Sequence, residues 1–197
     1  VFDLAYLRCI PNLIIFAPRN EIELRNIMFT AQNGLQQPIA IRYPRGKGNI
    51  INWIQPFEAI EIGKGIQLKK GSKIAVLSIG TMANNVSKAI EKCNMPEVVS
   101  HYDMRFVKPL DVELLQKIFT TYKYVITVED GVKHGGFGSA VLEYASKQNY
   151  QEPIKLIGID DMFVEHGTLQ ELQHLTGLDV ETICNCINEN LLFVSNS

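Results

Sequence analysis

Ile74-Ala-Val-Leu-Ser-Ile79, followed by Gly80-Thr81, is a short apolar run closed by turn residues. Such a run reads as a strand buried on both faces. Thr81 stands where it can cap a helix over roughly 82–92, and the same alternation then repeats to the end of the chain. Residues 97–104 form a second strand, rich in valine. Asp111 caps the next helix, with Leu110 and Leu115 at hydrophobic-staple spacing and Val112, Leu115, Ile118 and Phe119 on one face. Tyr124–Val128 is a third strand, and Gly135–Gly138 open a helix carrying Val141, Leu142 and Ala145. Ile154–Ile159 is a fourth. Thr168 and Glu171 make a capping box for a helix that Gly177 stops, and Asp179 caps a last one with Val180, Ile183, Ile187 and Leu191 inward. Strands alternating with helices over about 120 residues predict an α/β three-layer domain.

Upstream the pattern is shorter. Leu13–Phe16 reads as a strand, and Asn20 with Glu23 as a capping box for a helix over 20–33. Leu24, Ile27, Met28 and Ala31 recur along it at helical spacing, and Gly34 ends it. Ile39–Ile41, introduced by Pro38, is a second strand, so these residues form one βαβ unit with parallel strands. One unit is too little for a domain, and the rest of its sheet is expected from a preceding part. The opening Val-Phe-Asp-Leu, with neither initiator Met nor signal-peptide pattern, gives the same expectation. Between the two regions lie Gly46, Gly48, Trp53, Pro56, Phe57, Gly63, Gly65 and Gly71. That composition predicts a surface-crossing linker with aromatic anchors and a short hairpin around Ile60–Leu68. The expected division is 1–48, 49–72 and 73–197.

Composition removes several classes of function. With 197 residues, 46% hydrophobic and 20% charged, the chain can bury a substantial core. A net charge of -2 gives no electrostatic case for nucleic acid or an anionic membrane. No apolar run approaches spanning length. Cys9, Cys93, Cys184 and Cys186 lack metal-ligand spacing, and the last two point to different faces of a helix.

Three stretches carry charge at strand ends. Arg42-Tyr-Pro-Arg45-Gly46 leaves the Ile39–Ile41 strand at its carboxyl end, where ligands gather in open α/β sheets. Two guanidinium groups, one proline and one glycine suit a phosphate or carboxylate there; the competing reading pairs Arg42 and Arg45 with acidic neighbours. Glu129-Asp-Gly131 and Gly135-Gly-Phe-Gly-Ser139 join a strand to a glycine-rich helix start. The spacing matches neither a dinucleotide fingerprint nor a P-loop, which favours close backbone packing over anion binding. Glu129 and Asp130 are placed to orient His134, itself structural or exposed on base rates. Asp103, Arg105 and Lys108 alternate charge, with Asp103 and Arg105 expected as a local ion pair. His101, His166 and His174 have no second ligand at metal spacing. No complete catalytic constellation is present.

Taken together, the blocks at 2–11 (Phe-Asp-Leu-Ala-Tyr-Leu-Arg-Cys-Ile-Pro), 17–25 (Ala-Pro-Arg-Asn-Glu-Ile-Glu-Leu-Arg), 42–46, 103–111 (Asp-Met-Arg-Phe-Val-Lys-Pro-Leu-Asp) and 128–139 resemble the 1-deoxy-D-xylulose-5-phosphate synthase family. The first, third and fourth are specific to it, whereas the Glu-Asp-Gly/Gly-Gly block is shared among transketolases and 2-oxoacid dehydrogenase β subunits. The resemblance runs from Phe2 to about Leu191. It implies that 1–48 is the end of a pyrimidine-binding α/β domain and 73–197 a transketolase C-terminal domain with a mixed five-stranded sheet. It also implies a thiamine-diphosphate- and magnesium-dependent enzyme, homodimeric and cytoplasmic (plastid stroma in a plant-type source). That enzyme condenses pyruvate with D-glyceraldehyde 3-phosphate, releasing carbon dioxide, for isoprenoid synthesis. The family's substrate-phosphate arginine falls on Arg45, with Arg42 a weaker candidate and more a scaffold ion pair. The family's Gly-Asp-Gly…Asn motif, its activating glutamate and the Asp/His pair preceding this segment are absent. Cofactor and metal are therefore expected on residues upstream of this chain, which alone turns nothing over. His134 matches no catalytic histidine of the family. The rival readings are a small subunit of a split transketolase-like enzyme and a non-catalytic pairing or regulatory module.

Overall fold

The structure, a computed structural model, describes residues 1–46, 48, 50 and 52–195, with the side chains of 192–195 left aside. Among the described residues eight strands fall into two sheets. The larger has the order β3(Ile66–Lys69), β5(Val99–Asp103), β4(Ile74–Ser78), β7(Val125–Val132), β8(Ile154–Ile159). All neighbours are parallel except the β3–β5 edge pair, which is antiparallel. The mixed five-stranded sheet is thus as expected, but its fifth strand is not half of a hairpin. Residues 66–69 pair with a strand more than thirty residues away, a partnership that no local turn signal announces. Gly71, which follows, must be glycine: a Cβ there would lie 2.3 Å from the Val99 carbonyl carbon.

Helices cover both faces, as the buried runs demand. Ile74, Val76, Ile126 and Val128 pack on one side against α3(Met82–Lys92) and α7(Val180–Ser195) through Val86, Ile90, Ile183 and Ile187. Ala75, Leu77 and Val125 pack on the other against α4(Val112–Thr121) and α5(Phe137–Lys147) through Leu115, Ile118, Phe137 and Val141. Most caps follow the sequence: Asp111 accepts from Leu114 N at 3.0 Å, Asp179 from Thr182 N at 3.0 Å, and Thr168 with Glu171 completes a capping box on α6(Leu169–Leu175). Thr81 is the exception; its backbone is already helical and its hydroxyl makes no cap. Residues 96–98 form a 3-10 turn rather than the start of β5.

The first residues are not a satellite. After α1(Asp3–Leu7), β1(Ile14–Phe16) pairs in parallel with β2(Ile39–Ile41) across α2(Glu21–Gln32), which is the expected βαβ unit. On its other edge β1 pairs antiparallel with β6(Phe106–Lys108), a strand of the C-terminal region that its charged sequence did not announce. The side chains of β1 alternate between two cores. Ile14 and Phe16 join Ile27, Ile60 and Phe106, while Ile15 joins Leu77, Val107 and Phe137. The rings of Phe16 and Phe106 meet edge-to-face at 4.8 Å. β2, expected to be buried, is only half-buried, because it is the free edge of the three-stranded sheet.

Phe106 is fully buried, so Phe106→Ala is expected to cost about 3–5 kcal/mol through lost contacts and a residual cavity. Urea unfolding monitored by circular dichroism measures it. Met28→Ala, on the exposed face of α2, is the control and should stay within about 0.5 kcal/mol.

Candidate functional site

β1 and β2 end side by side, and the last ladder bond runs from Arg42 N to Phe16 O at 2.8 Å. The Arg42 side chain then turns inward. Its Nε donates to Asp3 Oδ2 at 2.9 Å, and its terminal nitrogens donate to the side chain and the carbonyl of Asp130. Burial opposes a charge at this position, but Asp130 and then Asp3 outweigh it and raise the guanidinium pKa. Burial likewise works against the Asp3 carboxylate, and Arg42 overcomes it to hold Asp3 below its ordinary range. Arg42 is therefore a bolt joining α1, β2 and β7. Arg45, three residues on, is exposed and has no ion pair or hydrogen bond among the described residues. The geometry separates two arginines that the sequence placed together. Beside them a cleft of about 210 Å³ is lined by Arg19, Asn20, Leu24, Tyr43, Pro44 and Thr81, at the start of α2.

The floor of this region is a charge network that sequence reasoning missed. Glu23, on the inner face of α2, accepts from Arg105 Nε at 2.9 Å and forms an ion pair with that guanidinium, a terminal nitrogen of which is also 2.9 Å away, and Arg19 Nε stands 3.6 Å away. Arg105 thus pairs with Glu23 and not with Asp103; its backbone N–H donates to Asp103 Oδ1 at 3.1 Å instead. The Asp103 side chain is completely buried, and Oδ2 has no hydrogen-bond partner among the described residues, Arg19 Nε being 3.7 Å off. Burial, aided by nearby Glu23, pushes the Asp103 carboxyl well up, as expected of a carboxyl taken out of water. Glu23 also caps differently from expectation. Asn20 accepts from Glu23 N at 3.0 Å, but the Glu23 carboxylate reaches back to Arg19 N, one residue earlier. The sequence did hold a signal for this network: Glu23 lies four residues before buried Ile27, hence on the apolar face.

The glycine-rich segment is occupied by the chain itself. Glu129, buried at the end of β7, accepts from Phe137 N and Gly138 N at 2.8 Å each. It fills the N-terminus of α5, where the free N–H groups would otherwise favour an external anion. A Cβ on Gly136 would lie 2.3 Å from Glu129 Oε2, and one on Gly138 2.7 Å from Leu156. Close backbone packing is what these glycines permit. Glu129 does not orient His134, which is exposed. Lys108 donates to the carbonyls of Arg8 and Ile10. His101 is buried between the hydroxyls of Ser78 and Ser87, and burial, then Arg19, lowers its pKa to about 3. His166 and His174 are exposed.

The mixed five-stranded sheet with helices on both faces coincides with a known fold. The transketolase C-terminal domain model matches residues 63–183, and the chain belongs to that family. Among curated proteins, 1-deoxy-D-xylulose-5-phosphate synthase of Parabacteroides distasonis is 52% identical over 93% of this chain, and that of Bacteroides fragilis 46% over 98%. The match falls on the C-terminal part of these relatives, and the chain spans 29% and 30% of their length. A solved structure described as a split gene transketolase, inactive beta4 tetramer, superposes with a TM-score of 0.85 at 29% identity, covering 98% of this chain and 62% of that one.

Transketolase-type enzymes imply thiamine diphosphate and a divalent metal, and the residues here do not fit either. Among the described residues no three His, Cys, Asp or Glu side chains gather to hold a metal ion. The most phosphate-like cradle, the α5 N-terminus, is closed by Glu129.

Burial raises the Glu129 pKa to about 7, against the two N–H donors that lower it. A folded pKa above the unfolded value of 4.5 means stabilisation that is complete below 4.5 and fades as the pH rises to about 7. Glu129→Gln leaves one N–H facing an NH₂ group. At pH 5 it is expected to cost about 1–3 kcal/mol, and the gap to the parent should narrow towards pH 8, measured by urea midpoints across that range.

Proposed function

We propose that this chain is the C-terminal portion of a 1-deoxy-D-xylulose-5-phosphate synthase, a thiamine-diphosphate-dependent transferase of the transketolase type. The whole enzyme condenses pyruvate with D-glyceraldehyde 3-phosphate, with loss of carbon dioxide, at the entry to isoprenoid synthesis. Thiamine diphosphate and Mg²⁺ are bound by residues upstream of this portion, and the enzyme works as a cytoplasmic homodimer. Residues 1–48 close the pyrimidine-binding domain, 49–72 cross to the next domain and lend its sheet the edge strand β3, and 73–197 form the rest of the C-terminal domain. The observation that carries this reading is the identity of about half the residues to synthases over nearly the whole chain.

Arg45 is the residue of this portion that meets substrate, holding the phosphate of glyceraldehyde 3-phosphate. Its exposure and its lack of a partner among the described residues support that role, since a guanidinium already forked onto carboxylates, like that of Arg42, is not available to a phosphate. The phosphate is remote from the reacting carbons, so Arg45 contributes binding and orientation, with no proton transfer asked of it. Arg42 serves the site only by fixing the end of β2. Similarity to the split gene transketolase keeps a second reading, a separate small subunit completed by another polypeptide, in view.

Purified residues 1–197, assayed with pyruvate, glyceraldehyde 3-phosphate, thiamine diphosphate and Mg²⁺, are expected to show no turnover; turnover would refute the reading. In the whole enzyme Arg45→Ala should raise KM for glyceraldehyde 3-phosphate by about 10- to 100-fold, the loss of one charge-assisted contact, and leave KM for pyruvate unchanged.

A further inference from the structure

The cleft beside Arg45 holds a second guanidinium whose hydrogen bonds the fold has not used. Arg19, in the loop between β1 and α2, lines it together with Tyr43, Pro44 and Gly46, the residues that flank Arg45. The Arg19 backbone is held from two directions. Its N–H donates to Glu23 Oε2 at 3.2 Å, and its carbonyl accepts from Asn84 Nδ2 of α3 at 3.0 Å. The side chain is thereby placed, but it is not satisfied. Nε is buried, yet it stands 3.6 Å from Glu23 Oε1 and 3.7 Å from Asp103 Oδ2, beyond hydrogen-bonding range. Both carboxyls already serve Arg105: Glu23 takes its Nε at 2.9 Å, and Asp103 Oδ1 takes its backbone N–H at 3.1 Å. A guanidinium carries five N–H donors, and none of those on Arg19 meets a hydrogen-bond acceptor among the described residues. Donors so placed in a half-buried wall ordinarily have a partner.

The rest of the cleft fits an oxyanion. Thr81 also lines it, and its hydroxyl makes no cap on α3. Glu21, a carboxylate in the same wall that would repel an anion, has Oε1 drawn to Ile50 N at 3.4 Å. The volume of about 210 Å³ is below that of sites for drug-sized ligands, roughly 300–1,000 Å³, and suits a small molecule. A phosphate monoester bears about −1.5 to −2 charge at neutral pH, more than one arginine balances. We infer that Arg19 is a second contact to the phosphate of glyceraldehyde 3-phosphate and sets the preference for a phosphorylated aldehyde. This rests on the reading of Arg45 as a phosphate contact, since the residues flanking Arg45 form the facing part of the cleft. Pyruvate offers only a carboxylate and is not the ligand assigned here.

The test measures the preference of the whole enzyme, as the ratio of kcat/KM for glyceraldehyde 3-phosphate to that for glyceraldehyde, which lacks the phosphate. Arg19→Met keeps the apolar stem and removes the fork. It is expected to lower this ratio about 10- to 100-fold, with KM for pyruvate within about two-fold of the parent. Inorganic phosphate should inhibit the parent competitively with glyceraldehyde 3-phosphate, and the variant about ten-fold more weakly. Arg19→Lys keeps a charge beside Glu23 and Asp103 but loses the fork, so the ratio should fall about two- to five-fold. That variant decides the matter if Arg19→Met fails to fold. An equal loss on both aldehydes would make Arg19 structural only and overturn the inference, as would an unchanged ratio in the Arg19 variants. Inhibition by phosphate that depends on Arg19 but does not compete with the aldehyde would also overturn it, by placing the anion outside the substrate site. If Arg45→Ala alone leaves the ratio unchanged while Arg19→Met lowers it, the reading of Arg45 falls and Arg19 remains the phosphate contact.

Discussion

The three residues of β1 carry more of this architecture than their number suggests. A strand offers two edges and two faces, and β1 uses all four. One edge takes β2, the other takes β6, one face packs under α2 and the other joins the core of the large sheet. Because its backbone groups are paired on both sides and its side chains are buried, any displacement of β1 would strand polar groups in an apolar setting. Everything at its carboxyl end inherits that rigidity. The Arg42 bolt, the Glu23–Arg105 pair and the start of α2 are all referenced to where Phe16 stops.

That position resolves a contrast between three arginines of similar exposure to sequence reasoning. Arg42 is consumed by Asp3 and Asp130, and Arg105 by Glu23, whereas Arg45 lies past the last ladder bond with no hydrogen bond or ion pair among the described residues. Burial decides which guanidinium is structural. A charge that leaves water must find a partner, and one that remains in water need not. The same logic governs Glu129, whose buried carboxyl satisfies the free N–H groups of a helix terminus that the sequence reading had assigned to close backbone packing rather than to an anion.

Much of this was legible in the sequence because it is local. The apolar runs of β4, β7 and β8 and the caps at Asn20, Asp111, Thr168 and Asp179 each express one segment's own periodicity and side-chain chemistry. What escaped is non-local. β3 and β6 are short, carry lysines, and become strands only because distant partners supply their hydrogen bonds. Thr81 has cap chemistry but the wrong backbone angles. The contacts of Arg25 with Trp53, Gln55 and Phe57 are non-local in the same way, joining residues about thirty positions apart. In the site, motif resemblance singled out Arg45, while the buried charge network beneath it depended on knowing that Arg19, Glu23, Asp103 and Arg105 meet.

The pairing of β1 with β6 also sets a timetable. The two strands lie roughly ninety residues apart in the chain, so a ribosome adding 5–20 residues each second leaves β1 without its second neighbour for about 5–20 s. During that interval Ile15 has no core to enter, and an unpaired strand edge is open to any passing extended chain. Vectorial synthesis therefore leaves an edge of β1 open, as well as an apolar face, until β6 has been made.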